Sequence, residues 1–257
     1  MSDFVPTPER QKQIHSLLTK HGRLSVAEIV KQFSISQATA RRDLESLASQ
    51  GKAQRVHGGV IAVEQAPPEL PILQRESEQL GEKARIGRET ADLIADNETV
   101  FLGSGTTVLE VARNLRDRKK LTVITNSLPV LNILAGTEEI TLISLGGMLR
   151  ESELSFIGHI TEQALNEIRA DKVILGIRGL SLEHGLTNDY LQETLTDRAI
   201  IRIGRELIVV ADHTKVNRVS TVMLAALDVI HTFVTDAKAD KKFILALKRQ
   251  GIQVIVT

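Results

Sequence analysis

The chain has 257 residues, with 32 Lys plus Arg balanced by 32 Asp plus Glu, so its formal net charge is zero. This balance argues against a general nucleic-acid coat protein, and the absence of cysteine excludes a disulfide framework and a thiolate metal site. The first residues show no signal-peptide pattern and no apolar run approaches the length of a membrane span, so we expect a cytoplasmic protein.

Residues 24–43 predict two short helices joined by a tight turn. The second helix begins after Ser36, whose hydroxyl can accept a hydrogen bond from a first-turn N–H. Its apolar residues recur at the spacing of one buried face, at Ala40, Leu44 and Leu47. The opposite face carries polar groups and two guanidinium groups, which suit base edges and phosphates. We therefore predict a recognition helix that binds DNA through Ser36, Gln37, Thr39, Arg41 and Arg42. Taken alone, such a helix is better read as a surface helix with a solvated arginine pair.

The following segment, residues 54–63, predicts a small hairpin, and this favours a recognition helix over a solvated surface helix. We place its tip at Gly58–Gly59, since paired glycines readily adopt the positive φ of tight turns. Arg55 and His57 would project from this hairpin toward the DNA backbone. A basic hairpin beside a recognition helix makes a winged helix, which we prefer to an ordinary turn. Residues 1–60 hold nine Lys/Arg and five Asp/Glu, so positive charge is concentrated where phosphate contact needs it.

The remainder of the chain predicts an α/β domain with a mainly parallel sheet. Short apolar runs alternate with helical stretches, at residues 100–102, 121–124, 141–145, 173–175, 207–210, 229–234 and 252–256. Continuous apolar runs separated by helices indicate parallel strands that are covered on both faces. We assign residues 1–63 to the winged helix, 64–77 to a proline-containing linker, and 78–257 to this second domain.

Ligands of such sheets bind at the carboxyl ends of the strands, and these ends are polar or rich in glycine here. After the first strand, residues 103–107 offer glycines, two threonine hydroxyls and a helix N-terminus, which together form an anion cradle. Lys215 would add a point charge for phosphate, although it could also be a solvated loop lysine. Each ending alone fits an ordinary loop, but together they favour a pocket for a small phosphorylated ligand. The candidate effector-binding residues are Ser104, Gly105, Thr106, Thr107, Asn126, Ser127, Gly146, Gly147, Gly176, Asn188, Asp212 and Lys215.

Two ordered sets of motifs resemble the DeoR family of bacterial transcription regulators. The first set is Ser36-x-x-Thr39-x-Arg41-Arg42-Asp43-Leu44-x-x-Leu47 followed by Arg55-x-His57-Gly58-Gly59. The second set comprises Gly105-Thr106-Thr107, Thr125-Asn126-Ser127, Gly146-Gly147, Asp171 with Gly176, Gly185-x-Thr187 and Asp212-x-x-Lys215. The chain departs from the family at Ala40, usually isoleucine, and at Gly103, where many members have aspartate. The resemblance implies a sugar-phosphate-isomerase-like sensor domain and a phosphorylated sugar or related metabolite as effector.

The alternative function is an isomerase-like enzyme with a DNA-binding domain. Aldose–ketose isomerisation needs a carboxylate as general base, and residues 176–179 read Gly-Ile-Arg-Gly where ribose-phosphate isomerases carry acidic groups. Asp212 and Glu193 remain as acids near the mouth; we expect Asp212 to bind sugar hydroxyls and Glu193 to be only a helix-face residue. We therefore expect a repressor and not an enzyme, with no cofactor and no metal, since the histidines are scattered. As a homo-oligomer, a dimer or tetramer, it would bind a double-stranded operator with paired half-sites and no membrane.

Overall fold

The structure, a computed structural model, describes residues 6–49, 52–56, 58–62, 64–65 and 70–257. The chain divides into two compact units, residues 1–65 and residues 66–257. Residues 72–75, which the sequence analysis assigned to the linker, are helical and belong to the second unit. Among the described residues, no helix combines the length and the apolar character that crossing a membrane requires.

The first unit is a winged helix-turn-helix, as predicted. Its helices are α1 (Thr7–His21), α2 (Val26–Phe33) and α3 (Gln37–Ser49), and its strands are β1 (Arg23–Ser25), β2 (Ala53–Val56), β3 (Gly59–Ala62) and β4 (Glu64–Gln65). β3 lies between β1 and β2 and pairs with both in antiparallel fashion. The apolar faces of the three helices close over one core, formed by Ile14, Leu18, Leu24, Ile29, Ala40, Leu44, Leu47, Ala53 and Val60.

The predicted wing hairpin is present, but Gly59, expected at its tip, lies in a strand. Val56 pairs with Gly59, so Gly59 is the first residue of β3 and, of the two predicted tip glycines, only Gly58 lies between the strands. Gly58 has a φ of +85°, which favours glycine in the turn. At Gly59 a Cβ would lie 2.2 Å from the carbonyl oxygen of Leu24, so glycine is needed for the approach of β1 to β3. The two glycines therefore serve different purposes. His57 lies outside the described residues.

The second unit is built on thirteen further strands and seven helices among the described residues. The strands are β5 (Thr99–Leu102), β6 (Leu121–Thr125), β7 (Ile140–Ser144), β8 (Met148–Arg150), β9 (Ser155–Ile157), β10 (Ala170–Gly176), β11 (Gly179–Ser181), β12 (Gly185–Asn188), β13 (Gly204–Val210), β14 (Arg218–Val219), β15 (Val222–Ala225), β16 (Thr232–Thr235) and β17 (Gln253–Val256). The helices are α4 (Ile72–Arg75), α5 (Leu80–Asp92), α6 (Thr106–Arg113), α7 (Leu128–Leu134), α8 (His159–Asn166), α9 (Leu191–Ile203) and α10 (Lys241–Arg249).

A seven-stranded parallel sheet organises this unit, in the order β17-β16-β13-β10-β5-β6-β7. All seven apolar runs singled out in the sequence form strands of this sheet, which confirms the predicted fold class. Successive side chains of a strand face opposite sides, so Phe101 packs in one core while Val100 and Leu102 pack in the other. Burial on both faces explains why these strands are continuously apolar.

Candidate functional site

The exposed face of α3 carries the polar groups that the sequence assigned to DNA. Gln37, Arg41 and Arg42 are exposed, whereas Ala40 and Leu44 are buried in the core of the unit. The apolar stripe therefore fixes which face of the helix turns outward. That outward face combines an amide with two guanidinium groups, the donors that suit base edges and phosphates.

Ser36 and Thr39 form the start of this helix. Ser36 Oγ accepts a hydrogen bond from the backbone N–H of Thr39 at 3.1 Å and lies 2.9 Å from Thr39 Oγ1. The predicted N-cap is therefore present. On the wing, Arg55 is exposed and its Nη1 lies 2.8 Å from Glu45 Oε1, so this ion pair links β2 to α3.

Asp43 belongs to the same motif but faces inward. Arg10 Nε donates to Asp43 Oδ2 at 2.7 Å, and Gln11 Nε2 donates to Asp43 Oδ1 at 3.1 Å. The side chains of Arg10 and Asp43 are only 6% and 3% exposed. This pair ties α3 to α1. Sequence reasoning missed it, although a carboxylate immediately before Leu44, on the edge of the apolar stripe, was the available signal.

A cavity of about 640 Å³ lies at the carboxyl edge of the parallel sheet in the second unit. Its walls come from the residues that follow β5, β10 and β13, together with β12, α9 and the segment before and within α5. Eight of the residues predicted to bind an effector line it: Ser104, Gly105, Thr106, Thr107, Gly176, Asn188, Asp212 and Lys215.

The loop after β5 has the geometry of an anion cradle. Gly105 has a φ of +108°, and a Cβ built on it would meet no atom of the described structure within 4 Å. Helix α6 begins at Thr106 without a side-chain cap from the described residues, so its first-turn N–H groups are suited to an anion. At Gly103, a Cβ would lie 2.6 Å from Leu175 Cδ2, so packing against β10 favours the glycine found here.

The turn after β13 brings Asp212 and Lys215 to the same cavity. Asp212 is 2% exposed, and its Oδ1 accepts hydrogen bonds from the N–H of Thr214, at 2.9 Å, and from the Thr214 hydroxyl. These bonds hold a short 3₁₀ helix, His213–Lys215, in which Lys215 is partly exposed. The carboxylate is therefore fixed by its own turn, and the lysine follows it at the cavity wall.

The opposite wall is polar and buried. Asn188 Nδ2 donates to Asp197 Oδ2 at 2.8 Å. Burial raises the pKa of Asp197 to about 7, against the opposing effects of the Asn188 hydrogen bond and the Arg150 charge. Glu193, expected to be only a helix-face residue, is instead buried at the cavity, where it pairs with Arg150 and accepts from the Ser155 hydroxyl at 3.4 Å. Its place on the inner face of α9 corrects that expectation.

Asn126 and Ser127 do not line this cavity, contrary to the sequence-based expectation. Both are buried. Asn126 Nδ2 donates to the carbonyl oxygen of Phe156 at 2.9 Å, and Ser127 caps α7 by accepting from the N–H of Val130. The Asn126 side-chain amide N–H therefore joins the end of β6 to β9, and Ser127 starts α7, while Asn126 Oδ1 is buried with no hydrogen-bond partner among the described residues.

Gly146 and Gly147 also lie outside the cavity lining. The Gly146 carbonyl oxygen accepts a hydrogen bond from Thr161 Oγ1 at 2.8 Å. Gly147 has a φ of +150°, and a Cβ there would lie 2.2 Å from the same hydroxyl oxygen. Gly147 therefore lets the loop after β7 approach α8 closely, whereas a Cβ at Gly146 would meet no described atom within 4 Å.

Several cavity residues were not anticipated from the sequence, among them Arg75, Glu78, Gln79, Lys83, Arg178, Asp189 and Arg218. Arg75 pairs with Glu153, and its Nε donates to the carbonyl oxygen of Leu70 at 2.7 Å. Lys83 Nζ donates to the carbonyl oxygen of Arg75 at 2.8 Å. In the described parts of the chain, no cluster of three or more His, Asp or Glu side chains is arranged to hold a metal ion.

Comparisons with known proteins cover both units. A family model described as a DeoR-like helix-turn-helix domain matches residues 10–66, and one described as the DeoR C terminal sensor domain matches residues 78–237. The chain is 35% identical to the transcriptional repressor AccR of Agrobacterium fabrum over 95% of this chain and 99% of that one. It is 34% identical to the glycerol-3-phosphate regulon repressor of Escherichia coli over 96% of this chain and 97% of that one. Among solved structures, ribose 5 phosphate isomerase A from Neisseria gonorrhoeae aligns with a TM-score of 0.39 and 15% identity over 52% of each chain.

Proposed function

Because this chain belongs to the DeoR family of DNA-binding transcription regulators, we propose that it represses genes of sugar or sugar-derivative metabolism under the control of a phosphorylated effector. Family membership confirms the choice of a regulator over an isomerase. The similarity to a glycerol-3-phosphate regulon repressor supports an effector or pathway of this class. Binding to the chromosome would place the protein in the bacterial cytoplasm.

DNA is proposed to be bound by the outer face of α3 and by the wing. Gln37, Arg41 and Arg42 would contact base edges or phosphates in the major groove, with Ser36 and Thr39 at the start of the helix. Arg55 and His57 are the wing residues of this proposal. One recognition helix reads only a short half-site, so we propose a homo-oligomer that binds an operator with paired half-sites.

The effector is proposed to occupy the cavity of the second unit. The observation that supports this assignment is the cavity itself, which is lined by eight of the predicted effector-binding residues. Its phosphate would bind residues 104–107 at the first turn of α6, and Lys215 would neutralise part of the charge. Asp212 would accept hydrogen bonds from hydroxyl groups of the effector, and the Asn188 side chain would accept from or donate to such groups. Effector binding can regulate DNA affinity only if the DNA-free and DNA-bound forms of the protein bind the effector with different affinities.

Thermal-shift screening against phosphorylated sugars tests the effector site, because a ligand of the native state raises its melting temperature. A phosphorylated compound should give the largest increase in melting temperature, and its unphosphorylated counterpart should give none. Lys215→Ala should weaken binding of that compound, whereas Lys248→Ala, an equal loss of charge on the exposed face of α10, should not. Equal shifts for the phosphorylated and unphosphorylated forms would contradict the proposed phosphate site.

A further inference from the structure

Lys83 is a buried lysine to which the proposed effector site assigns no role. It lies in the first turn of α5, is only 4% exposed, and lines the cavity. Burial lowers its pKa, while the nearby charge of Asp212 opposes that effect. Because desolvating an ammonium is costly, a lysine in such a position needs compensating partners.

The packing of two helices brings Lys83 and the candidate anion cradle to the same cavity. Gly87 on α5 approaches α6 so closely that a Cβ there would lie 2.6 Å from the backbone carbonyl carbon of Glu110. Lys83 and Thr106 each precede these contact residues by four positions, about one helical turn. Both also line the same cavity. The close packing therefore aligns the first turn of α5 with the first turn of α6.

The same ammonium fastens the beginning of the second unit. Lys83 Nζ donates to the carbonyl oxygen of Arg75, the last residue of α4, at 2.8 Å. Arg75 is itself buried, pairs with Glu153, and donates to the carbonyl oxygen of Leu70. Along the chain, residues 70–75 come directly after the segment at which the two units divide. Lys83 thus contacts both the cavity and the segment that leads into the unit.

We propose that Lys83 is a positioning residue that couples an anion in the cavity to the segment 70–79. Without the anion, its ammonium holds the Arg75 carbonyl. When an anion binds at the first turn of α6, the ammonium turns to the anion oxygens and releases α4. Charged acceptors form stronger hydrogen bonds with an ammonium than a neutral carbonyl does, which provides the driving force. The inference rests on the proposed function, because it requires an anion in this cavity.

Amide hydrogen exchange of residues 72–79 in the full chain tests the coupling, with inorganic phosphate as probe and chloride at equal ionic strength as control. Phosphate should speed exchange in the wild type about tenfold or more, as expected when one charge-assisted hydrogen bond is lost. Lys83→Met keeps an unbranched side chain that is one heavy atom shorter and carries no charge. This variant should exchange rapidly without phosphate, and adding phosphate should change nothing further.

A second variant separates failure of this inference from failure of the proposed site. Lys215→Met should lose phosphate binding, measured by calorimetry, while keeping slow exchange of residues 72–79. Unchanged exchange in a wild-type chain that binds phosphate would overturn the coupling and leave the proposed site intact. Absence of phosphate binding to the wild type, or unweakened binding to Lys215→Met, would overturn the proposed site and the coupling together. If Lys83→Met does not fold, the wild-type comparison decides.

Discussion

Asp43 and Glu45 lie on the same recognition helix and each pairs with an arginine, but only one of these pairs is buried. Asp43→Ala would leave the Arg10 guanidinium without its carboxylate partner at 6% exposure. Removing one partner of a buried pair costs about 3–5 kcal/mol. In the Arg55–Glu45 pair the side chains are 51% and 56% exposed, so Glu45→Ala should cost no more than about 1 kcal/mol.

Urea unfolding of the full chain measures this difference. The chain has no tryptophan and its single tyrosine, Tyr190, lies in the second unit, so tyrosine fluorescence reports that unit while far-ultraviolet circular dichroism reports both. Asp43→Ala should shift only the part of the dichroism transition that belongs to the winged helix. Operator binding by Asp43→Ala should recover on cooling, because the substitution lowers the stability of the winged helix and does not remove a contact with DNA. Equal, small losses in Asp43→Ala and Glu45→Ala would refute the assignment of Asp43 to the core.

Four further outcomes are expected. Arg42→Ala should weaken operator binding by about 1–3 kcal/mol in anisotropy titrations, and should relax sequence preference if the residue contacts a base. Lys215→Ala should weaken effector binding about tenfold to a hundredfold by calorimetry, with DNA binding in the absence of effector unchanged. Gly105→Val should weaken effector binding further, because valine resists a φ of +108° and adds bulk to the cradle. Burial raises the pKa of Asp197 from 3.8 to about 7, so stability should fall as pH rises through this interval, and Asp197→Asn should flatten the dependence of melting temperature on pH.

Patterns local in sequence predicted most of the architecture. Apolar runs such as Val100–Leu102 specify strands because side chains on both faces are buried. The wing followed from Gly58 and Gly59, although only the structure shows that Gly59 serves the approach of β1. The loop at 104–107 was predicted to line a ligand pocket because glycines and hydroxyls before a helix suit an anion, and it does line the cavity.

Placement of the cavity required the strand order, which local patterns do not contain. The cavity follows the ends of β5, β10 and β13, neighbours in the sheet, whereas Asn126 and Gly146 come after β6 and β7 toward the other edge. Lys83 was missed for a different reason. A lysine in an amphipathic helix has the pattern of a solvated residue, and only the tertiary structure shows that Lys83 is buried and bonded to the Arg75 carbonyl oxygen.

We propose that DNA binding is controlled from the cavity of the second unit. Fluorescence anisotropy tests this control most directly. Labelled operator DNA, taken from the region next to the gene that encodes this protein, is titrated with the wild type and with Lys215→Ala. In the presence of the phosphorylated compound identified by thermal shift, the wild type should change its affinity for the operator, and Lys215→Ala should keep its effector-free affinity at the same concentration. An identical response of both proteins, or no response of the wild type at a saturating concentration, would contradict control of DNA binding from this cavity.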